Sequence, residues 1–459
     1  MMARTVDLST VEASGKRKWI YPIVSRGLWY RRRKWAAYAL IIWLVGVPWT
    51  QWDGRQTLLF DFYHRKFQVF GWTFFANESS VFLGFVLFFI ASILILTALF
   101  GRVFCGWACP QTVFMEFIFR PIEQWLEGTG LSQKRWNQQE YSKKLPRKLV
   151  KYFLFFSISM VLSNTFIAYL FGSHHLIKMI QEGPLSNASI FFGMLFVAVL
   201  INFQFGWFRE QVCAFVCPYG RLQSILLDRH SVIVAYDAKR GEPRGKLGQT
   251  SGDCIDCHKC VQVCPTGIDI RAGLQLECIH CTQCIDVCDE VMTKIGKPIG
   301  LIAYNTQAAM AEKPKVIFRP RLLIYGLVFL IGGFLMGAFG LGRKSIDASL
   351  HREAGRNLFE KVGQTEFVNN FKINIQNRLD ESQKLSWQLI EPPSAELILP
   401  EGEIELKPEE KRSIQLLIKM KSEDFHSEVG SIPLKIKISV DADNQVDLNS
   451  KIFGYESDD

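Results

Sequence analysis

Five long stretches of this chain contain no Lys, Arg, Asp or Glu. They are Trp35–Trp52, Ser79–Gly101, Tyr152–Ile177, Gly183–Phe208 and Leu322–Gly342, of 18, 23, 26, 26 and 21 residues. A helix of about 20 apolar residues crosses the hydrocarbon core of a bilayer, so the pattern predicts about five transmembrane helices. Core helices of soluble proteins rarely stay uncharged for so long. The first stretch is the shortest and contains Pro48. Tryptophans gather near the ends of these stretches (Trp19, Trp29, Trp35, Trp49, Trp52, Trp72, Trp107, Trp125, Trp207), as anchoring at a membrane interface requires. The apolar pattern begins only after a long polar and basic segment, so no cleavable signal is expected.

Beyond residue 345 the period changes. Phe371-Lys-Ile-Asn-Ile, Leu385-Ser-Trp-Gln-Leu, Ile414-Gln-Leu and Leu434-Lys-Ile-Lys-Ile-Ser-Val alternate apolar with polar, and Glu391-Pro-Pro-Ser marks a turn. Such short strands over residues 345–459 predict an all-β, immunoglobulin-like domain. It lacks cysteine and any catalytic constellation, so its expected role is contact with a partner.

Charge sets the orientation. Segment 4–34 holds nine Lys/Arg against three in 53–78, and segment 102–151 holds nine against one in 178–182. Basic segments stay in the cytoplasm. With five crossings of a bacterial inner membrane, residues 1–34 form a basic cytoplasmic N-terminus and 35–208 hold four helices. Residues 209–321 are then cytoplasmic, 322–342 form the fifth helix, and the tail is periplasmic. The same bias explains the net charge of +9. No nucleic-acid partner is needed, and no nucleic-acid motif occurs.

Cysteine supplies the chemistry. Residues 254–264 read Cys-Ile-Asp-Cys-His-Lys-Cys-Val-Gln-Val-Cys, and 278–288 read Cys-Ile-His-Cys-Thr-Gln-Cys-Ile-Asp-Val-Cys. Both are C-x2-C-x2-C-x3-C runs, the spacing by which bacterial ferredoxins hold iron–sulfur cubanes, with the fourth thiolate serving the neighbouring cluster. Two [4Fe–4S] clusters are therefore expected. The first would take Cys254, Cys257, Cys260 and Cys288, and the second Cys278, Cys281, Cys284 and Cys264. A structural zinc site needs only four ligands and leaves the third cysteine of each run without a role. All twelve cysteines fall between residues 105 and 288. On this topology they face the cytoplasm or its membrane interface, as metal ligands in a reducing compartment rather than a disulfide framework.

The other four cysteines form a repeat. Cys105-Gly-Trp-Ala-Cys109-Pro110 and Cys213-Ala-Phe-Val-Cys217-Pro218 lie 108 residues apart, each after an apolar stretch. Proline disfavours helix at the residue before it and suits the first turn of a helix, so each motif predicts a break at its second cysteine. Four thiols brought together in this way suit a soft metal ion such as Cu(I), a further metal centre, a dithiol–disulfide couple, or two inert buried pairs. Spacing alone does not choose among these. His174 and His175 read as polar caps at an interface or as metal ligands. His258 and His280, inside the quartets, read as residues that tune a cluster rather than bind it. Arg240, Glu242 and Arg244 read equally as a docking loop or as a plain turn.

Taken together, the two C-x3-C-P hairpins and the double-cubane module resemble the NapH-type membrane polyferredoxins. The segment Tyr236-Asp-Ala-Lys-Arg-Gly-Glu-Pro-Arg244-Gly, a fifth helix and the immunoglobulin-like tail narrow the resemblance to the CcoG family, also called FixG or RdxA. The resemblance implies an accessory protein for assembly of the cbb-type cytochrome c oxidase, reducing Cu(II) to Cu(I). Its implied partners are copper ions, oxidase assembly factors and an external electron donor, protein or quinol. Cys105, Cys109, Cys213 and Cys217 are then the redox or copper candidates. The alternative is a NapH-like subunit passing electrons from quinol to a reductase. No flavin or dinucleotide fingerprint is present. Two departures from the pattern stand out. Asp289 follows Cys288 where ferredoxins carry proline, which would open the rim of the first cluster. His258 and His280 stand where glycine is frequent.

Overall fold

The computed structural model describes residues 10, 16–52, 54–62, 66–75, 79–246, 248, 252–312, 319–341, 346–352, 357–363, 365–378, 381–399, 404–407, 410–426, 430–440 and 445–454. They fall into two compact units, Met1–Gly337 and Ala338–Asp459.

Among the described residues, four helices of the first unit are long and apolar enough to cross a membrane: Phe82–Phe100, Ser142–Phe171, Ala188–Phe208 and Pro320–Ala338. Their outward faces are strongly apolar, with Phe192, Phe196, Leu330 and Phe334 all more than 60 % exposed. Lipid is the solvent that makes such faces stable.

The first expected helix differs from the expectation. It spans Leu28–Gly46 rather than Trp35–Trp52, and its first turns carry Arg31, Arg32, Arg33 and Lys34. Pro48 lies in the 3₁₀ turn Val47–Trp49 that ends it, and short strands follow. Its composition therefore falls outside the apolar set, yet the helix runs the length of the bundle. Its N-terminus has no cap of its own. Instead Asp286, from the cysteine-rich module, accepts the backbone N–H of Trp29 (3.0 Å) and Tyr30 (2.8 Å). At the other end the Leu44 carbonyl accepts the Tyr169 hydroxyl at 2.8 Å, two residues before the 141–171 helix stops. Nineteen residues rise about 28 Å, the thickness of a hydrocarbon core. Beyond this end the segment 53–78 is not a plain loop. Leu58–Asp61, Lys66–Val69 and Trp72–Phe75 form an antiparallel meander. Gln56 fastens the chain by donating to the Ala168 carbonyl at 2.9 Å.

The two C-x3-C-P motifs fold alike. Each follows a residue with positive φ, Gly101 (+60°) and Arg209 (+54°), which stand 108 positions apart like the motifs themselves. In each, the second cysteine donates its N–H five residues back at 2.8 Å, Cys109 to the Phe104 carbonyl and Cys217 to Val212. Cys109 (ψ 124°) and Cys217 (ψ 110°) are extended, and Pro110 and Pro218 open the helices Pro110–Phe114 and Pro218–Leu226. The steric demand of proline on its predecessor accounts for both breaks.

The module between the fourth and fifth helices is built on one antiparallel strand pair, Ile233–Tyr236 with Ile302–Asn305. The first quartet runs into a helix of four residues, Lys259–Gln262, and the second into one of twelve, Gln283–Lys294. The difference follows from sequence. Pro265 stops the first, whereas Asp289 lets the second continue past Cys288 and accepts the Gly300 N–H at 2.8 Å.

The second unit is an antiparallel sandwich. One sheet orders Glu396–Ile398, Lys411–Lys421, Glu366–Asn377 and Ile346–Arg352, with Glu360–Val362 also paired to 366–377. The other orders Ile404–Leu406, Gln383–Glu391, Ser431–Ser439 and Gln445–Phe453. Alternation along Glu366–Asn377 buries Phe367, Phe371, Ile373 and Ile375 against Leu416, Ile418 and Ile436. This is the face-to-face packing expected of an immunoglobulin-like fold.

Candidate iron–sulfur centre

Each quartet wraps a cavity. Cys254, Cys257, Cys260 and Cys288 line one, together with Tyr236 and Arg271. Cys264, Cys278, Cys281 and Cys284 line the other, and Cys260 touches both. The two cavities thus draw three thiols from one run and a fourth from the other. The backbone explains the wrapping. Asp256 and His258 in the first run, and His280 and Thr282 in the second, all have φ between +53° and +65°. They are the residues flanking the second cysteine of each run, and both histidines stand where glycine would cost less. Alternating left-handed residues curl the peptide into concavities that receive an anionic group. Among the described residues no three His, Cys, Asp or Glu converge closely enough to hold a single metal ion. Thiols spread around a hollow fit a polynuclear cluster instead of a lone zinc.

The two cavities differ in exposure. Cys257 is exposed, whereas Cys278 and Cys281 are buried. The second run packs against the first C-x3-C-P motif. A side chain at Gly106 would stand 2.4 Å from the Ile279 carbonyl oxygen, so only glycine permits this approach. Arg102 joins three segments: its N–H donates to His280 Nδ1 at 3.2 Å, and its guanidinium to the carbonyls of Gly220 (2.6 Å) and Leu276. Trp107 donates to the Tyr304 hydroxyl (3.2 Å), which donates to the His280 carbonyl (3.3 Å).

The four membrane-side thiols are neighbours. Cys105 donates to Gln223 Oε1 at 3.1 Å, across to the helix that Pro218 opens. Burial, and then the proximity of Cys109 and Cys217, push the Cys105 thiol up to about 12. Burial, then Cys109, Cys105 and Cys217, do the same to Cys213. At Cys105 and Cys213 burial thus disfavours the thiolate.

Other candidates have ordinary roles. Arg240 bonds Asp253 (2.5 Å) and the Ile299 carbonyl (2.9 Å), and Glu242 accepts the Tyr236 hydroxyl at 3.2 Å, so that segment is a turn fastened to its own module. His174 and His175 are exposed on the helix Ser173–Glu182. Sequence reasoning missed a buried ion-pair network beside Cys213. Glu123 binds Arg209 (2.7 Å) and Lys151 (3.2 Å), and Glu210 lies 3.7 Å from Arg209 and 3.8 Å from Arg120. Arg120 also pairs with Glu116, which accepts from Gln283 inside the second quartet at 3.3 Å. The signal was present as charges beside the second motif and between the hairpins, but linear sequence does not pair them. Arg33 and Arg102 were missed for the same reason.

Comparison with known proteins agrees with this geometry. Residues 208–307 match the family described as a 4Fe-4S dicluster domain, and 82–137 one described as a 4Fe-4S binding domain. Residues 336–454 match the IG-like fold at the C-terminal of FixG. Protein RdxA of Cereibacter sphaeroides is 33 % identical over 77 % of this chain and 79 % of its own length. Protein RdxB of the same organism is 33 % identical over 86 % of each. Nitrogen fixation protein FixG of Rhizobium meliloti is 29 % identical over 86 % of this chain and 83 % of its own. The long apolar helices, the 4Fe–4S domains and the FixG-type tail, shared with relatives over most of their length, make this chain a membrane iron–sulfur electron-transfer protein of the CcoG/FixG/RdxA family.

Proposed function

We propose that this protein takes electrons from an external donor and reduces Cu(II) to Cu(I) at the thiols of its two C-x3-C-P motifs, for assembly of a cbb-type cytochrome oxidase. The observation that carries the reading is the nearness of Cys105, Cys109, Cys213 and Cys217 to one another and, through Gly106, to the second quartet; as they stand no three of them converge on one point, so an entering ion would draw them in. Two cubanes, held by Cys254, Cys257, Cys260 and Cys288 and by Cys264, Cys278, Cys281 and Cys284, supply one-electron carriers when bound. One electron converts Cu(II) to Cu(I), and the donor, a protein or a quinol, is oxidised. Soft thiolates then favour the product over the substrate ion. Entry of the cation releases the protons that burial holds on Cys105 and Cys213. The charge bias of the loops supports a cytoplasmic cluster module and a periplasmic tail.

Replacing Cys109 or Cys217 with serine tests the reading. Both variants are expected to keep about eight iron per chain while losing Cu(I) retention, measured with a Cu(I) chelator in the same sample. Unchanged copper reduction without all four thiols would overturn it. A second reading has its own support. The 82–137 match is a 4Fe–4S binding domain whose cysteines are Cys105 and Cys109, which favours a third cluster in a NapH-like electron-transfer subunit. About twelve iron per chain, falling to eight in the serine variants, would favour it over copper.

A further inference from the structure

We propose that Arg33 raises the reduction potential of the cluster held by Cys264, Cys278, Cys281 and Cys284, so that an electron reaching the exposed first cluster moves on toward the membrane thiols. The inference rests on the ligand sets proposed above and assigns a role to a residue outside them.

Arg33 is wholly buried. Its Nε donates to the Gly106 carbonyl at 2.6 Å, and its guanidinium lies 5.1 Å from the centre of the Phe117 ring. Nη1 and Nη2 have no hydrogen-bond partner. Buried ionic groups are expensive unless a counter-charge answers them, and among the described residues no carboxylate pairs with this one. The Gly106 peptide that holds it lies on the Ile279 and His280 carbonyls of the second quartet. The anion that answers Arg33 is therefore the thiolate-bound cluster beside it. Such a cluster is negatively charged and gains a further negative charge on reduction, so a fixed neighbouring cation stabilises the reduced form more than the oxidised one.

His280 acts in the same direction. It is wholly buried, and its Nδ1 accepts the Arg102 N–H, which leaves the proton on Nε2. That Nε2 has no partner and belongs to a residue lining the second cavity. The first cavity lacks this arrangement. Arg271 and Lys259 line it, but Asp256 (2.5 Å) and Asp269 (2.7 Å) neutralise Arg271, and Lys259 is exposed, where water and salt screen its charge.

EPR-monitored redox titration of the full chain, purified anaerobically in detergent with iron and sulfide counted, tests the proposal on wild type, Arg33→Gln and Arg33→Lys. In Arg33→Gln the midpoint of the second cluster is expected to fall by at least 59 mV, a tenfold loss of its reduced form at fixed potential, while the first does not move. Arg33→Lys keeps the charge and is expected to restore most of the fall. Equal shifts of both clusters, or lysine and glutamine variants that titrate alike, would overturn the proposal. If glutamine loses the second cluster altogether, lysine decides alone: an unmoved midpoint sustains the role and a tenfold fall refutes it. A wild type without two clusters fails at the iron count, before any potential is measured, and defeats the ligand assignment instead.

Discussion

The two quartets share spacing and backbone signs, yet they sit in opposite surroundings. The first leaves Cys257 exposed and balances its one arginine with two carboxylates. The second is closed by the membrane-side motif and faces an arginine that no carboxylate among the described residues answers. On the proposed reading the same ligand pattern serves two tasks. An exposed rim suits exchange with a diffusing donor, while a closed one suits delivery to a fixed neighbour.

The sharpest way to break that contrast is Gly106→Val. Its side chain would collide with backbone at Ile279, which cannot swing aside as a side chain would. We expect at least a tenfold loss of copper reduction, with the second cluster lost before the first, read by iron content and EPR. Gly326→Ala, with nothing within 4 Å, is the silent control.

A smaller effect comes from the ion network that supports the second quartet through Glu116 and Gln283. Burial alone would raise the Glu123 carboxyl, but Arg209 and Lys151 outweigh it and lower it from 4.5 to about 2. A depressed carboxylate stabilises the fold above its unfolded value and loses that contribution as pH falls through the folded one. The difference is worth about 3 kcal/mol at neutral pH. Glu123→Gln is therefore expected to unfold more easily by about that amount at pH 7, followed by tryptophan fluorescence. Its deficit against wild type should shrink between pH 4.5 and 2. A deficit that stays constant over that window would show that the charge is not the cause.

Exposure orders the next outcome. A water-soluble oxidant such as ferricyanide is expected to destroy the first cluster ahead of the second in wild type, because Cys257 meets solvent and Cys281 does not. Simultaneous loss would erase the distinction between open and closed rims.

Much of this architecture was legible in the sequence because its signals are local. Uncharged stretches, a C-x2-C-x2-C-x3-C run and proline after cysteine each constrain a few neighbouring residues. The first helix departed from expectation because Asp286, about 260 positions away, caps it, and because a start rich in arginine is tolerated where it meets the module rather than lipid. The Arg33 contact, the Gly106 approach and the Glu123 network were invisible for the same reason. Each joins segments that only the fold brings together.

The smallest expected effect isolates the backbone from the side chain. His258 and His280 sit at φ +54° and +53°, a conformation that L-residues adopt at a cost of about 1 kcal/mol and glycine adopts freely. On backbone grounds alone, glycine would relieve both. Their side chains differ. The His258 imidazole is more than half exposed, and its contacts with Arg271 (2.8 Å) and Asp256 (3.5 Å) lie at the surface, where such pairs contribute little. His258→Gly is therefore expected to gain up to about 1 kcal/mol in thermal stability and leave both cluster potentials in place. His280 fills a closed site and accepts the Arg102 N–H. His280→Gly would strand that buried donor and open a cavity, at a cost of about 2 kcal/mol that exceeds the relief. Opposite signs in the two variants, measured as midpoints of thermal unfolding with iron retained, would show that position along the motif does not fix the role of the residue. Equal signs would mean that the backbone dominates, and that the surroundings of the two quartets differ less than their side chains suggest.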